Sequence, residues 1–152
     1  MTKNIWAALA LAAATLLPAA CGEAPEQADT APDAPEGVSV KNARLMLPAV
    51  KGNPGAVYFD LENASERNRV VRAVSVAGAG SAMMHTGDMQ EMSQVVTPPN
   101  STVKFAPGEQ HVMAMNLPDT MVAGGQAEVT VTFVGGDKVS FPAEVRAAGD
   151  ER

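Results

Sequence analysis

Residues 38–147 predict an all-β domain, a sandwich or small barrel, on three observations. Apolar side chains alternate with polar ones over short runs, as in Val57, Phe59 and Leu61 against Ala56, Tyr58 and Asp60, the period of a half-buried strand. Turn-forming clusters break these runs at short intervals. No stretch beyond the first twenty residues sustains a helical period. Seven or more short strands punctuated this way fit a sandwich or barrel better than a mixed fold.

In chain order, Lys3 gives a positive start and Ile5 to Leu17 is an uncharged apolar run. That run suits a secretory signal and is too short to span a bilayer. Leu17-Pro18-Ala19-Ala20-Cys21-Gly22 follows and resembles a bacterial lipobox, with Pro18 where leucine is usual and Leu17 one position earlier. Residues 1–20 are therefore expected to be a lipoprotein-type signal peptide, with Cys21 lipidated as the mature N-terminus; ordinary cleavage nearby is the alternative. The expected site of action is periplasmic or otherwise extracytoplasmic, on a bacterial membrane. Residues 21–37 hold Pro25, Pro32 and Pro35, only negative charge and no large apolar residue. Such a segment cannot bury enough surface to fold and reads as a disordered tether.

The domain strands follow. After Gly52-Asn53-Pro54-Gly55 comes the run through Leu61, then Val70, Val74 and Val76, then a strand ending at Met83-Met84-His85. Val103 and Phe105 precede the turn Pro107-Gly108-Glu109-Gln110, and a strand starts at His111. Val129, Val131 and Phe133 are joined to Val139 and Phe141 by Gly135-Gly136-Asp137, a hairpin signal. Residues 148–152 are a tail. Without Lys3 the chain has ten basic against seventeen acidic residues, a net charge of −7. An acidic chain with no basic stripe cannot neutralise a phosphate backbone, which excludes nucleic-acid binding.

Both histidines and six of the nine methionines lie between Met83 and Met115. Methionine alone is usually core filler, and a lone histidine is usually structural. Together they form a neutral set of soft sulfur and imidazole nitrogen that suits Cu(I) better than zinc, calcium or magnesium. On a strand, residues 111, 113 and 115 share one face, and His111 and Met113 are about 7 Å apart along it. That spacing lets the two side chains converge on one ion. Met115, further along, is expected to pack beneath the site.

Met84-His85, a methionine soon after, Pro107-Gly108 and His111-Val112-Met113-Ala114-Met115-Asn116-Leu117 resemble the periplasmic copper chaperones of the PCu(A)C family. The signature of that family is a His, often beside a Met, then a Met, then His-x-Met. Tyr58 to Asn63 is similar to its early strand ending in Asn, and the resemblance spans about Val38 to Val145. It implies a cupredoxin-like Greek-key β-sandwich that holds Cu(I) near its surface through His85, Met92, His111 and Met113. It also implies a copper acceptor as partner, either the binuclear centre of cytochrome oxidase or an intermediary copper chaperone. Six residues separate His85 from Met92, fewer than is usual in the family. Met89 therefore competes for that position, and Met84 is a further alternate; the segment after Met92 aligns better and favours Met92. The sequence ends without the His- and Met-rich tail of some members, so no second, Cu(II)-binding region is expected.

Other functions lack their parts. A blue-copper electron carrier needs a cysteine inside the domain, and Cys21 precedes it. There is no Cys-x-x-Cys and no motif pairing an acid with a nucleophile, so an enzyme is not expected. An exported interaction module whose methionines form a contact surface, and a copper sequestration protein, stay open. A monomer is expected.

Overall fold

Ten strands succeed one another without a helix among the described residues, 34–150, of the computed structural model. The expected signal segment, Cys21 and most of the tether lie outside the described residues. The strands are β1 (Val38–Met46), β2 (Gly55–Asn63), β3 (Arg69–Val76), β4 (Ser81–His85), β5 (Glu91–Met92), β6 (Val95–Thr97), β7 (Ser101–Phe105), β8 (His111–Met115), β9 (Gln126–Phe133) and β10 (Lys138–Arg146). They form one sheet in the order β5-β4-β8-β2-β1-β10-β9-β3-β6, with β7 also pairing β2 beyond β8. The β1–β10 pair is parallel and all other pairings are antiparallel. The sheet curls until β3 packs against β4, so a single sheet supplies both walls of a nearly closed, barrel-like core. The all-β expectation holds in this form.

Alternation drives the closure. In β2 every second residue is buried, from Gly55 to Asn63, and Val57, Phe59 and Leu61 are almost wholly inaccessible. Phe59 stacks on Phe105 with centroids 4.3 Å apart and tilts against Phe141 at 5.3 Å, joining β2, β7 and β10 across the interior. Two bulges change the expected parity. One, between Val71 and Ala73, makes Val71 and not Val70 the fully buried partner of Val74 and Val76. The other, between Lys41 and Arg44, has Asn42 at φ 55° and breaks the alternation of β1, which carries no clear strand signal in the sequence.

Asn63 closes one end of the sheet. Its side chain is buried, its amide donates to the carbonyls of Arg67, Thr97 and Pro98 at 2.7–3.0 Å, and its Oδ1 accepts from the Ser65 amide and hydroxyl. One polar side chain thereby ties the loop after β2 to the end of β6.

Candidate metal centre

The pairing of β8 with its two neighbours decides which side chains meet. On β4, His85 lies directly opposite His111, Met84 opposite Val112, Met83 opposite Met113 and Ser81 opposite Met115. On β2, Val57 lies opposite Val112 and Ala56 opposite Met113. Residues directly opposed across an antiparallel pair share a face. The inward face of β4–β8 is therefore Ala82, Met84, Val112 and Ala114, and Met84, Val112 and Ala114 belong to the buried core. His85, His111, Met83, Met113 and Met115 lie on the outward face.

That outward face is ordered in rows across the strands. The first row continues from Arg44 through Tyr58, His111 and His85 to Glu91. The imidazoles of His85 and His111 are nearly parallel, with centroids 6.2 Å apart. Tyr58 flanks His111 at 6.3 Å, and the Arg44 guanidinium lies 5.0 Å over the Tyr58 ring. The second row runs from Met46 through Ala56 and Met113 to Met83.

Each imidazole has a polar environment suited to ligation. His111 is buried, and its Nδ1 lies 3.0 Å from the Glu109 carbonyl oxygen. A carbonyl only accepts, so Nδ1 carries the proton and the lone pair of the neutral ring is on Nε2. Nδ1 of His85 is buried with no hydrogen-bond partner. An unpaired buried ring nitrogen is costly, and a bound ion would satisfy it. Among the described residues no three or more His, Cys, Asp or Glu side chains gather as a metal-binding group, so the donors that extend the imidazole pair along this face are the thioethers of Met113 and Met83.

The turn after β4 sits beside this pair. Thr86 and Gln90 bond through the backbone, the Thr86 hydroxyl donates to Asp88 Oδ1 at 2.6 Å, and Met89 occupies the turn at φ 66°. The hydroxyl of Thr86, followed by the Asp88 backbone, holds the Asp88 carboxyl below its ordinary value. A Cβ on Gly87 would run into the Gly108 carbonyl, so glycine lets this turn lie directly against the β7–β8 turn that leads into His111.

The six ligand candidates separate as follows. His85, His111 and Met113 are brought together on one outward face, as the strand parity implies. Met84 faces the core, opposite Val112, and does not join the imidazoles. Met92 lies opposite Met84 and packs against the core, on the other side of the sheet from His85. Met89 is exposed, in the turn that directly follows His85. Met83 and Tyr58 join the face without having been marked as site residues. Their signal was the pairing of β4, β8 and β2, which joins residues far apart in the chain.

The family model described as "Putative lipoprotein LpqE-like" matches residues 38–145. "Putative lipoprotein Lxx21020" of Leifsonia xyli subsp. xyli (strain CTCB07) is 29% identical over 120 residues, 74% of this chain and 71% of that protein. Among solved structures, the "Copper-bound PCuAC domain from PmoF2" is 24% identical with TM-score 0.65, covering 73% of this chain and 93% of that one. The "Apo PCuAC domain from PmoF1" is 24% identical with TM-score 0.66, covering 73% and 94%. The "Solution structure of CuI-DR1885 from Deinococcus Radiodurans" is 21% identical with TM-score 0.59, covering 82% and 85%. At these identities the structures establish a shared PCuAC fold.

Proposed function

The chain belongs to the "Putative lipoprotein LpqE-like" family, and from that premise we propose that it is an exported Cu(I) carrier held to a membrane through a lipid on Cys21. The observation that carries this reading is the cross-strand pair of His85 and His111, with Met113 one row away on the same outward face. Two neutral imidazoles and thioether sulfur make a soft donor set; Glu91, opposite His85, is the carboxylate of that row, and among the described residues it forms no three-membered metal-binding group with the histidines. Copper here is cargo, so the protein is a binding and delivery module and not an enzyme. A surface site on a preformed sheet suits handing an ion on, because a partner's ligands can reach it without unfolding the domain.

The ligand set we propose is His85, His111 and Met113, with Met89 as the second thioether in preference to Met92. Support for Met89 is its place in the turn beside His85; Met92 pairs with Met84 on the core side. The lipoprotein names of the family model and of the Leifsonia protein support a lipid-bearing N-terminus; with Cys21 as that residue, we take 1–20 as signal and 21–37 as tether. The acceptor we propose is an extracytoplasmic copper protein, the binuclear centre of cytochrome oxidase or an intermediary chaperone, as the likeness of His111 to Leu117 to the PCu(A)C signature suggests.

The test is a Cu(I) titration of the full chain carrying Cys21→Ser, under reducing conditions, against a chromophoric competitor. One Cu(I) should bind per chain, far more tightly than Zn(II). Absence of stoichiometric Cu(I) binding would leave an exported interaction module.

A further inference from the structure

Beyond the imidazole pair, the outward face of β4–β8 continues as thioether. Met83 is directly opposite Met113, and Met115 follows two residues later opposite Ser81. Opposed Cβ atoms are about 5 Å apart, diagonal neighbours about 7–8 Å, and residues two apart on a strand about 7 Å. Met83, Met113 and Met115 therefore form a small triangle, and three flexible methionine side chains can bring their sulfurs to one point. Met83 is 38% exposed, while Met113 and Met115 are half-buried, so the triangle opens outward. Its remaining neighbours, Ala56 and Ser81, bring no charge.

Core packing does not account for this arrangement. The core lies on the other face, where Met84 already serves it. On the outward face these three methionines stay at least partly open to solvent, so the core does not need their sulfurs there.

We propose that Met83, Met113 and Met115 form a second, all-thioether seat for a soft monovalent ion. It shares Met113 with the imidazole pair, and copper reaches it before leaving the protein. This rests on the carrier reading above and adds a route to it. In the step from one seat to the other, the two copper–imidazole bonds and the copper–thioether bond to Met89 break, and copper–thioether bonds to Met83 and Met115 form. The imidazole lone pairs are released, Met113 stays bound, and Cu(I) is neither oxidised nor reduced. Three neutral sulfurs select Cu(I) or Ag(I) and hold little attraction for Zn(II).

The experiment uses Ag(I) as a redox-inert probe and the full chain with Cys21→Ser in every sample, so that no thiol competes. His85→Gln with His111→Gln removes the imidazole seat. This double variant should still bind one Ag(I), roughly a hundredfold more weakly than the parent, and should not bind Zn(II). Adding Met83→Leu or Met115→Leu should abolish that residual binding, while either change in the parent should reduce Ag(I) affinity less than threefold. A double variant that binds no Ag(I), or residual binding indifferent to Met83 and Met115, overturns the proposal. If the double variant does not fold, the ε-methyl resonances of the parent decide: under excess Ag(I), Met83 and Met115 must shift together, and shifts confined to Met113 and Met89 overturn the proposal. The carrier reading fails separately, by loss of stoichiometric Cu(I) binding in the parent.

Discussion

Met84 and Met113 stand in adjacent strands one residue out of step, and that single step separates a core residue from a site residue. Met84 points inward with Val112 and is 3% exposed; Met113 points outward with His111 beside it and Met83 across from it. The same side chain meets two different demands. Inside, its flexibility fills volume between Val112 and the β5 methionine, Met92. Outside, in the ligand set proposed above, it is the sulfur that would hold copper. Methionine content alone therefore says nothing about metal binding; the face each methionine occupies does.

The largest expected effect breaks the inward side. Met84→Ala removes a buried side chain from the core and should cost about 2–5 kcal/mol, measured by urea unfolding. Cu(I) affinity of the remaining folded protein should match the parent. If Met84→Ala instead weakened Cu(I) binding and left stability intact, the assignment of faces would be inverted.

Met113→Leu is the outward counterpart. It keeps the bulk and removes the sulfur, so stability should change by less than about 1.5 kcal/mol. Cu(I) affinity should fall by roughly a hundredfold, or about 2.8 kcal/mol, in the competitor titration. A Met113→Leu protein that binds copper like the parent would reduce this methionine to packing.

Met92 and Met89 sharpen the comparison with smaller effects. Met92→Leu should behave as an inward change, leaving Cu(I) affinity intact and altering the unfolding midpoint only slightly. Met89→Leu should do the reverse, lowering affinity by roughly tenfold, about 1.4 kcal/mol, at unchanged stability. The opposite pair of outcomes would return the ligand position to Met92.

These residues also mark how far the sequence could be read. The run from His111 to Met115 is legible because alternation along one strand is local: it puts 111, 113 and 115 on one side, and the structure agrees. The strands built on Val57 to Leu61 and on Val129 to Phe133 are legible for the same reason. What alternation cannot supply is register between strands distant in the chain. His85 opposite His111, Met83 opposite Met113 and Tyr58 beside His111 all depend on that register. Bulges hide parity in another way. Asn42 at positive φ conceals β1, and the slip at Val71 moves the core residue of β3 by one place. The Met89–Met92 ambiguity had the same root, since spacing along a hairpin does not say on which side of the edge strand a residue emerges.

The smallest effect concerns the turn that carries Met89. Asp88 accepts a 2.6 Å hydrogen bond from the Thr86 hydroxyl, which is the first reason its carboxyl titrates below the ordinary aspartate value of 3.8; its own backbone amide is the second. A carboxyl with a lowered folded-state pKa stabilises the fold above the ordinary value and loses that contribution as pH falls through the lowered one. The turn should therefore keep its shape throughout the neutral and mildly acidic range and loosen only in stronger acid. Because Asp88 is exposed to solvent, the effect on global stability should be slight, and the informative measurement is local. Carboxyl carbon shifts of Asp88 followed against pH should give a midpoint below 3.8 in the parent, and Thr86→Val should move it back toward that value. Equal midpoints in the two proteins would mean that the Thr86–Asp88 bond is not formed in solution. The turn would then lack the side-chain brace that shapes the backbone around Met89.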